Sequence, residues 1–268
     1  MSYRRKHIKP KIKHLRHTKK FFQKPLFWIF LLVVIIIAVL SYFLLFFSKF
    51  QISTIKVSGN EQINSQDIER IVQLDITRHF FTLSSKSIFT VDAKNTVKDI
   101  LHTFAGVENV QLIKNFPNSL TLEIKERQPF LVFCTNEVPT RCFFMDGNGI
   151  IFEPLQSIPA GMVVLTKEDN SKKNNAGDQV VSKNVVDMIS KVKKNLQDAI
   201  GVDIKEILVS NYLVVTTSEN WQIDFDMNSD ISAQITKMNA LLQTGIPADA
   251  RKKLQYIYLQ YKDRAYYK

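Results

Sequence analysis

The sequence is poor in cysteine and glycine and lacks the motifs of common catalytic and cofactor sites. Its 268 residues contain two cysteines and eight glycines. Two cysteines with no neighbouring histidine cannot complete a tetrahedral zinc site. Neither a glycine-rich phosphate loop nor an H-E-x-x-H pair is present. We therefore expect no bound metal and no cofactor.

Acidic residues are absent from positions 1–24, and positions 25–48 contain no charged residue of either sign. The first segment carries ten Lys and Arg residues, so the rest of the chain has 26 basic residues against 25 acidic ones. The net charge of +11 therefore belongs almost entirely to this tail. Such a tail could bind nucleic acid, but beside an apolar segment it is more typical of a cytoplasmic flank touching anionic lipid. We expect lipid contact and no nucleic-acid partner.

The uncharged segment, residues 25–48, is long enough to cross a hydrocarbon core of about 30 Å as a helix. A buried core helix is the alternative, but such helices seldom stay apolar on every face for so long. A cleaved signal peptide has a shorter apolar region, and no A-x-A site follows this one. We predict a retained anchor, with residues 1–24 in the cytoplasm and about 220 residues outside.

The only two cysteines, Cys134 and Cys142, lie in the predicted outer part between the apolar runs LVF and FFM. These runs resemble two paired strands. A disulfide across that hairpin is the prediction for an oxidising compartment. The alternative is a pair of reduced, half-buried thiols.

Residues 52–126 predict the order strand, helix, helix, strand, strand. Asn64 and Asp92 are suitable caps for the two helices, and Gly106 is expected to end the second. In the last strand Leu120, Leu122 and Ile124 alternate with polar residues, as on a sheet with one buried face. The expected fold is a three-stranded sheet covered by two helices.

This order and its residues resemble the POTRA domain of the bacterial division proteins FtsQ and DivIB. Phe116 stands where the family more often has Trp or Tyr, which keeps an aromatic residue before Pro117. The matching pieces are Val57 to Asn60, Ile63-Asn64, Val107 to Leu112, Phe116-Pro117 and Glu126 to Pro129.

The resemblance implies an α+β fold with a single N-terminal transmembrane helix. Its parts would be a basic cytoplasmic tail over 1–24, the helix over 25–48, a POTRA domain (β-α-α-β-β) over 50–128 and a mixed β domain with flanking helices over 129–268. It also implies the bacterial cytoplasmic membrane at the division septum. The implied partners are an FtsB/FtsL-like pair of bitopic proteins, docking at a C-terminal strand, and other division proteins on the POTRA domain.

Tyrosines crowd the C-terminal segment, where a terminal strand with an extension is expected. An exposed sheet edge can recruit a strand from a partner, and tyrosine is enriched at interface cores. We predict partner contacts for Tyr256, Tyr258 and Tyr266. The alternative is that they pack the sheet, as we expect of Ile257 and Leu259.

Possible catalytic residues are isolated. Ser190 begins an S-x-x-K sequence, but no K-T-G or S-D-N follows it. His79 and His102, the histidines of the outer part, have no evident partner residue. Asp224 and Asp226 alternate along a strand, which is typical of a solvated face.

The expected function is that of a non-enzymatic scaffold linked to septal peptidoglycan synthesis. A membrane-anchored cell-wall enzyme remains an alternative. So does a POTRA protein of polypeptide transport, although no long series of barrel strands follows Pro129.

Overall fold

A computed structural model of the chain describes residues 25–77, 85–168 and 173–268. Its first element, α1 (Pro25–Phe46), has no buried residue. Within the described ranges, α1 alone is long and apolar enough to cross a membrane. The helix ends two residues before the predicted boundary at Ser48 because a short 3-10 turn, Ser48–Phe50, follows. The basic tail and His79 lie outside the described residues.

The first folded unit is a three-stranded sheet with two helices on one face. β1 runs parallel to β3 and β2 runs antiparallel to it, in the order β1-β3-β2. The helices bury Ile68, Val72 and Ile100 against Leu120 and Leu122 of the sheet. The predicted order of elements is confirmed: β1 (Thr54–Ser58), α2 (Ser65–Ile76), α3 (Ala93–Thr103), β2 (Val107–Asn115) and β3 (Ser119–Glu126).

Both helices begin at the predicted caps. The Asn64 side chain accepts a hydrogen bond from the backbone N–H of Gln66, and Asp92 accepts from two N–H groups of the first turn. These contacts satisfy donors that a helix leaves unpaired at its start. α3 ends at Thr103, before Gly106, because the backbone is already extended at residue 104.

Gly59 closes the turn after β1 at a point where no side chain fits. Its φ is +80°, and a Cβ placed there would lie 2.2 Å from the carbonyl oxygen of Ile124. Both the left-handed backbone and the close approach of β3 therefore require glycine. This explains why glycine stands at position 59, within the piece Val57 to Asn60 that resembles the POTRA domain.

The second folded unit is a mixed nine-stranded sheet in the order β12-β11-β10-β9-β8-β7-β4-β5-β6. The neighbours β4/β7, β7/β8 and β10/β11 are parallel, and the other pairs are antiparallel. Its elements are β4 (Leu131–Cys134), β5 (Cys142–Met145), β6 (Ile151–Leu155), β7 (Val164–Lys167), α4 (Lys183–Ile200), β8 (Ile204–Val209), β9 (Leu213–Thr217), β10 (Gln222–Phe225), α5 (Ile231–Ala240), α6 (Ala248–Arg251), β11 (Tyr256–Tyr258) and β12 (Tyr266–Tyr267).

The core of this unit lies between one face of the sheet and its helices. α4 contributes Ile189, Val192 and Leu196, which are fully buried at helical spacing. The largest fully buried side chains of the same cluster are Trp221, Phe133 and Phe225. The structure confirms the predicted α+β class.

The two cysteines face each other across the β4–β5 hairpin. Cys134 is the register partner of Cys142, and their sulfur atoms lie at bonding distance, 2.04 Å. The bond closes the hairpin whose loop carries the exposed Val138. This loop lies at the end of β4 that is farther from the first folded unit.

Glu126 and Arg127 lie at the boundary between the two folded units. The Glu126 carboxylate accepts hydrogen bonds from the backbone N–H groups of Glu61, Gln62 and Ile63, at 2.9 to 3.1 Å. The carboxylate thereby holds the loop between β1 and α2 against the end of β3.

The Arg127 side chain contacts both folded units. Its Nε donates to the carbonyl of Ala105, and its Nη1 pairs with the Asp146 carboxylate. The other oxygen of Asp146 accepts from the N–H groups of Asn148 and Ile150 in the turn before β6. One buried ion pair therefore ties the α3–β2 loop to the second sheet.

Candidate partner-binding edge

The C-terminal segment forms a small hairpin instead of one terminal strand. β11 is parallel to β10, and β12 folds back antiparallel to β11. β11 is therefore enclosed between two strands, and β12, residues 266–267, forms one edge of the nine-stranded sheet, while β6 forms the other. The expected sheet edge exists, but it lies one strand later than Tyr256–Tyr258.

The backbone of β12 has one side open. Lys268 donates its N–H to the carbonyl of Tyr256 and accepts from the N–H of Tyr256. Hydrogen bonding alternates along an antiparallel strand, so the preceding residue, Tyr267, directs its N–H and C=O away from β11. These groups are placed to pair with a strand from another chain.

The three predicted tyrosines come together on one face of this edge. The rings of Tyr256 and Tyr258 stack, with centroids 4.2 Å apart, and Tyr258 is the register partner of Tyr266. The ring of Tyr266 meets that of Tyr261 edge-on at 5.2 Å. Tyr261 and Tyr266 are each 46% exposed. We call these four residues the tyrosine patch.

The opposite face of the hairpin belongs to the core. Ile257 and Leu259 are almost completely buried, as predicted. Since side chains alternate along a strand, their burial leaves Tyr256 and Tyr258 on the outer face. The hairpin is thus anchored by aliphatic side chains on one face and presents phenols on the other.

A half-buried carboxylate borders the tyrosine patch. Asp224 of β10 is the register partner of Tyr258, and burial raises the pKa of this carboxyl group. The pKa of the Tyr258 phenol is also raised, first by burial and then by the nearby Asp224 carboxylate. Tyr256 and Tyr261 add smaller contributions in the same direction. At neutral pH the patch therefore offers hydroxyl donors beside a poorly solvated anion that favours a basic partner residue.

Lys237 of α5 holds the loop that connects β11 and β12. Its ammonium group donates to the backbone carbonyls of Leu259 at 3.2 Å and Tyr261 at 2.6 Å. Lys237 was not predicted from the sequence. Its only local signal is a cation in the last turn of a helix, which does not indicate contacts with residues more than 20 positions later.

The residues considered for catalysis that the structure describes are not brought together into one site. Ser190 is exposed on α4 and His102 is exposed on α3, in different folded units. Asp226 follows β10 and accepts hydrogen bonds from Asn228 and Ser229 in a turn. The solvated face predicted for Asp224 is wrong in part, because this side chain is half-buried beside Tyr258.

A protein-family model matches the first folded unit. The family is the FtsQ-type POTRA domain, and the match covers residues 50–127. That range begins just after α1 and ends at Arg127, so it contains the whole three-stranded sheet and both of its helices.

Two similar proteins extend the likeness beyond this domain. The chain is 25% identical to the cell division protein DivIB of Clostridium acetobutylicum over 207 residues, which cover 76% of this chain and 71% of the relative. It is 24% identical to the cell division protein FtsQ of Geotalea daltonii over 223 residues, covering 80% and 74%. The chain therefore contains an FtsQ-type POTRA domain and is similar, along most of its length, to the cell division proteins DivIB and FtsQ.

Proposed function

We propose that this protein is a non-enzymatic scaffold of the divisome. It docks an FtsB/FtsL-like pair of bitopic proteins through β12 and the tyrosine patch, while its POTRA domain meets other division proteins. The assembly links these partners to septal peptidoglycan synthesis. The protein lies in the cytoplasmic membrane at the septum, with residues 1–24 inside and the two domains, 50–128 and 129–268, outside.

The observation that carries this proposal is the β12 edge. Tyr267 offers backbone groups to an added strand, and the tyrosine patch lies beside them on the outer face. Main-chain hydrogen bonds supply affinity in such a pairing, and side-chain contacts supply specificity. Tyrosine suits this role because it buries a large area while keeping a polar tip.

The flanks of α1 support the orientation. Ten cations precede the helix in a segment without acids, and basic residues are retained on the cytoplasmic side. In the proposed orientation, the tyrosine patch lies in the compartment where septal wall is made.

The scaffold proposal also draws on the candidate catalytic residues that the structure describes, since Ser190 and His102 lie in different folded units. Among residues 25–77, 85–168 and 173–268, no group of three His, Cys, Asp or Glu side chains is placed to hold a metal ion. Ser190, the serine of the S-x-x-K sequence, lies on the solvent side of an amphipathic helix.

Imaging and depletion in the native cell test the proposal. A fluorescent fusion to the full chain is expected to gather at mid-cell, and depletion is expected to give elongated cells with few septa. The Tyr258→Ala/Tyr266→Ala double variant should still reach the membrane but restore division poorly, since the patch has lost two phenols. A Tyr212→Ala variant, which changes an exposed tyrosine of the β8–β9 turn, is the control and should restore division fully. An even membrane distribution and normal division after depletion would contradict the proposal.

A further inference from the structure

The end of α1 is hydrogen-bonded to the POTRA domain. The carbonyl of Leu44 accepts from the Ser87 hydroxyl at 2.9 Å. The carbonyl of Leu45 accepts from the Ser85 hydroxyl at 2.6 Å and from the Gln51 amide at 2.7 Å. A helix leaves its last carbonyls without internal partners, so these side chains complete the terminal turn. The domain is thereby fixed to the helix end.

Backbone pairing strengthens this attachment. Residues 50–52, which follow α1, exchange hydrogen bonds with residues 86–88: Ile52 donates to Lys86 and Ile88 donates to Phe50, each at 2.9 Å. Ser87 in this pairing is fully buried. Because several bonds join the two segments, the POTRA domain is held close to the point where α1 ends.

A continuous row of phenylalanine rings leads from α1 onto the surface of the POTRA domain. The ring of Phe43 lies 6.3 Å from that of Phe50, Phe50 lies 5.3 Å from Phe89, and Phe89 lies 5.4 Å from Phe116. Phe89 is 45% exposed and Phe116 is 62% exposed. We call Phe89 and Phe116 the phenylalanine pair.

The height of this pair relative to the membrane follows from α1. A helix of 22 residues rises about 33 Å, slightly more than the hydrocarbon core, so Phe46 lies near the core boundary. Phe43 is one turn inside that boundary. The ring of Phe89 lies within about 12 Å of the ring of Phe43, in or next to the layer of lipid headgroups.

The chemistry around the pair matches a phospholipid surface. Lys49 and Lys86 are exposed and stand next in sequence to residues of the phenylalanine row and its backbone pairing. Apolar rings with cations around them are typical of segments that enter the interface and place ammonium groups at phosphates. Transfer of a phenylalanine side chain from water into an apolar layer is favourable, and the exposed rings forgo this stabilisation in water.

We propose that the POTRA domain rests on the membrane surface from which α1 emerges, with Phe89 and Phe116 inserted into the interfacial layer of phospholipid. Lys49 and Lys86 then lie at the level of the phosphate groups. This contact sets the tilt of the domain and so the direction in which the second folded unit projects. It is independent of the proposal that β12 docks a partner.

Depth-dependent quenching in vesicles tests this inference on the full chain. Trp28 is replaced by Phe, which leaves Trp221, a fully buried residue of the second unit, as a constant background. Phe116→Trp is added to this parent. The vesicles contain phosphatidylcholine and phosphatidylglycerol, and part of the phosphatidylcholine carries bromine on acyl carbons close to the headgroup. We expect the added emission to fall at least two-fold in brominated vesicles.

Val138→Trp in the same parent is the control, since residue 138 is 98% exposed at the far end of β4 and its emission should not change. Phe89→Trp gives a second reading of the same surface and should be quenched as residue 116 is. Unchanged emission of the tryptophans at both 89 and 116, while Trp28 of the unmodified chain is quenched, would overturn the inference.

Discussion

Replacement of Arg127 by methionine is expected to lower the free energy of unfolding by about 3 to 5 kcal/mol. The Arg127 side chain is 12% exposed and its partner Asp146 is 4% exposed. Methionine fills a similar volume but leaves the Asp146 carboxylate buried without a cation. The carbonyl of Ala105 also loses the donor that Nε provides. Denaturant unfolding in detergent, followed by Trp221 emission, measures the effect.

Arg141→Met is the matched control for this prediction. Arg141 pairs with Glu137 at 3.1 Å on the surface, where the two side chains are 33% and 40% exposed. Exposed pairs contribute about 0 to 1 kcal/mol because water screens them. If Arg127→Met and Arg141→Met lowered the free energy of unfolding by the same small amount, the Arg127–Asp146 pair would not stabilise the junction.

Replacement of Glu126 by alanine is expected to destabilise the POTRA domain by about 3 kcal/mol. Glu126 is 8% exposed, and its loss leaves three backbone N–H groups without their acceptor. Hydrogen exchange of the α2 amides measures the loss directly, since the freed loop precedes that helix. Glu123 is an exposed residue on the same strand, β3, and Glu123→Ala is the control. It should change the opening free energy derived from hydrogen exchange by less than about 0.5 kcal/mol. Similar exchange in the two variants would contradict the role given to Glu126.

The Glu126 carboxylate also makes the stability of the POTRA domain depend on pH, and the direction of its pKa shift sets the sign of that dependence. Burial by itself raises the pKa of Glu126, but the N–H groups of Ile63, Gln62 and Glu61 outweigh it, so the pKa lies below the ordinary value of 4.5. The stabilisation is therefore complete above pH 4.5 and is lost as the pH falls through the lowered folded-state pKa. The stability difference between the natural chain and Glu126→Gln should shrink over that range. A stability difference that stays constant over this pH range would show that ionisation of Glu126 does not stabilise the domain.

The POTRA domain was predictable because its signals are local. Asn64 and Asp92 cap their own helices, and Leu120, Leu122 and Ile124 show strand alternation within five residues. A turn, a cap or an alternating run determines structure over its own few residues, and five such elements in order define the domain.

The junction and the sheet order depended on contacts that are distant in sequence. The piece Glu126 to Pro129 indicated where the domain ends, but nothing in it shows that Glu126 binds N–H groups more than 60 positions earlier. Likewise, β7 lies between β4 and β8, where Leu165 is the register partner of both Phe133 and Ile207. These residues are more than 30 positions from Leu165, so no local pattern indicates the pairing.

The terminal hairpin shows the same limit at the candidate site. The stretch from Leu259 to Ala265 has neither glycine nor proline to signal a turn. What holds the turn is Lys237 of α5. The structure places the three tyrosines on one surface, and their contacts with a partner stay a prediction. The strand at the edge was not identified from the sequence. Removal of the segment after Leu254 would also strip Ile257 and Leu259 from the core, so a finer change is needed to test docking.

A binding titration with single substitutions at Tyr267 tests the scaffold proposal most directly. The ligands are the outer segments of small coiled-coil membrane proteins from the same cell. Tyr267→Pro removes the outward backbone N–H, whereas Tyr267→Thr keeps it and removes the same exposed ring. We expect proline to weaken binding at least ten-fold and threonine less than three-fold. Equal affinities of the natural chain and the proline variant, or no binding to any such segment, would contradict docking at β12.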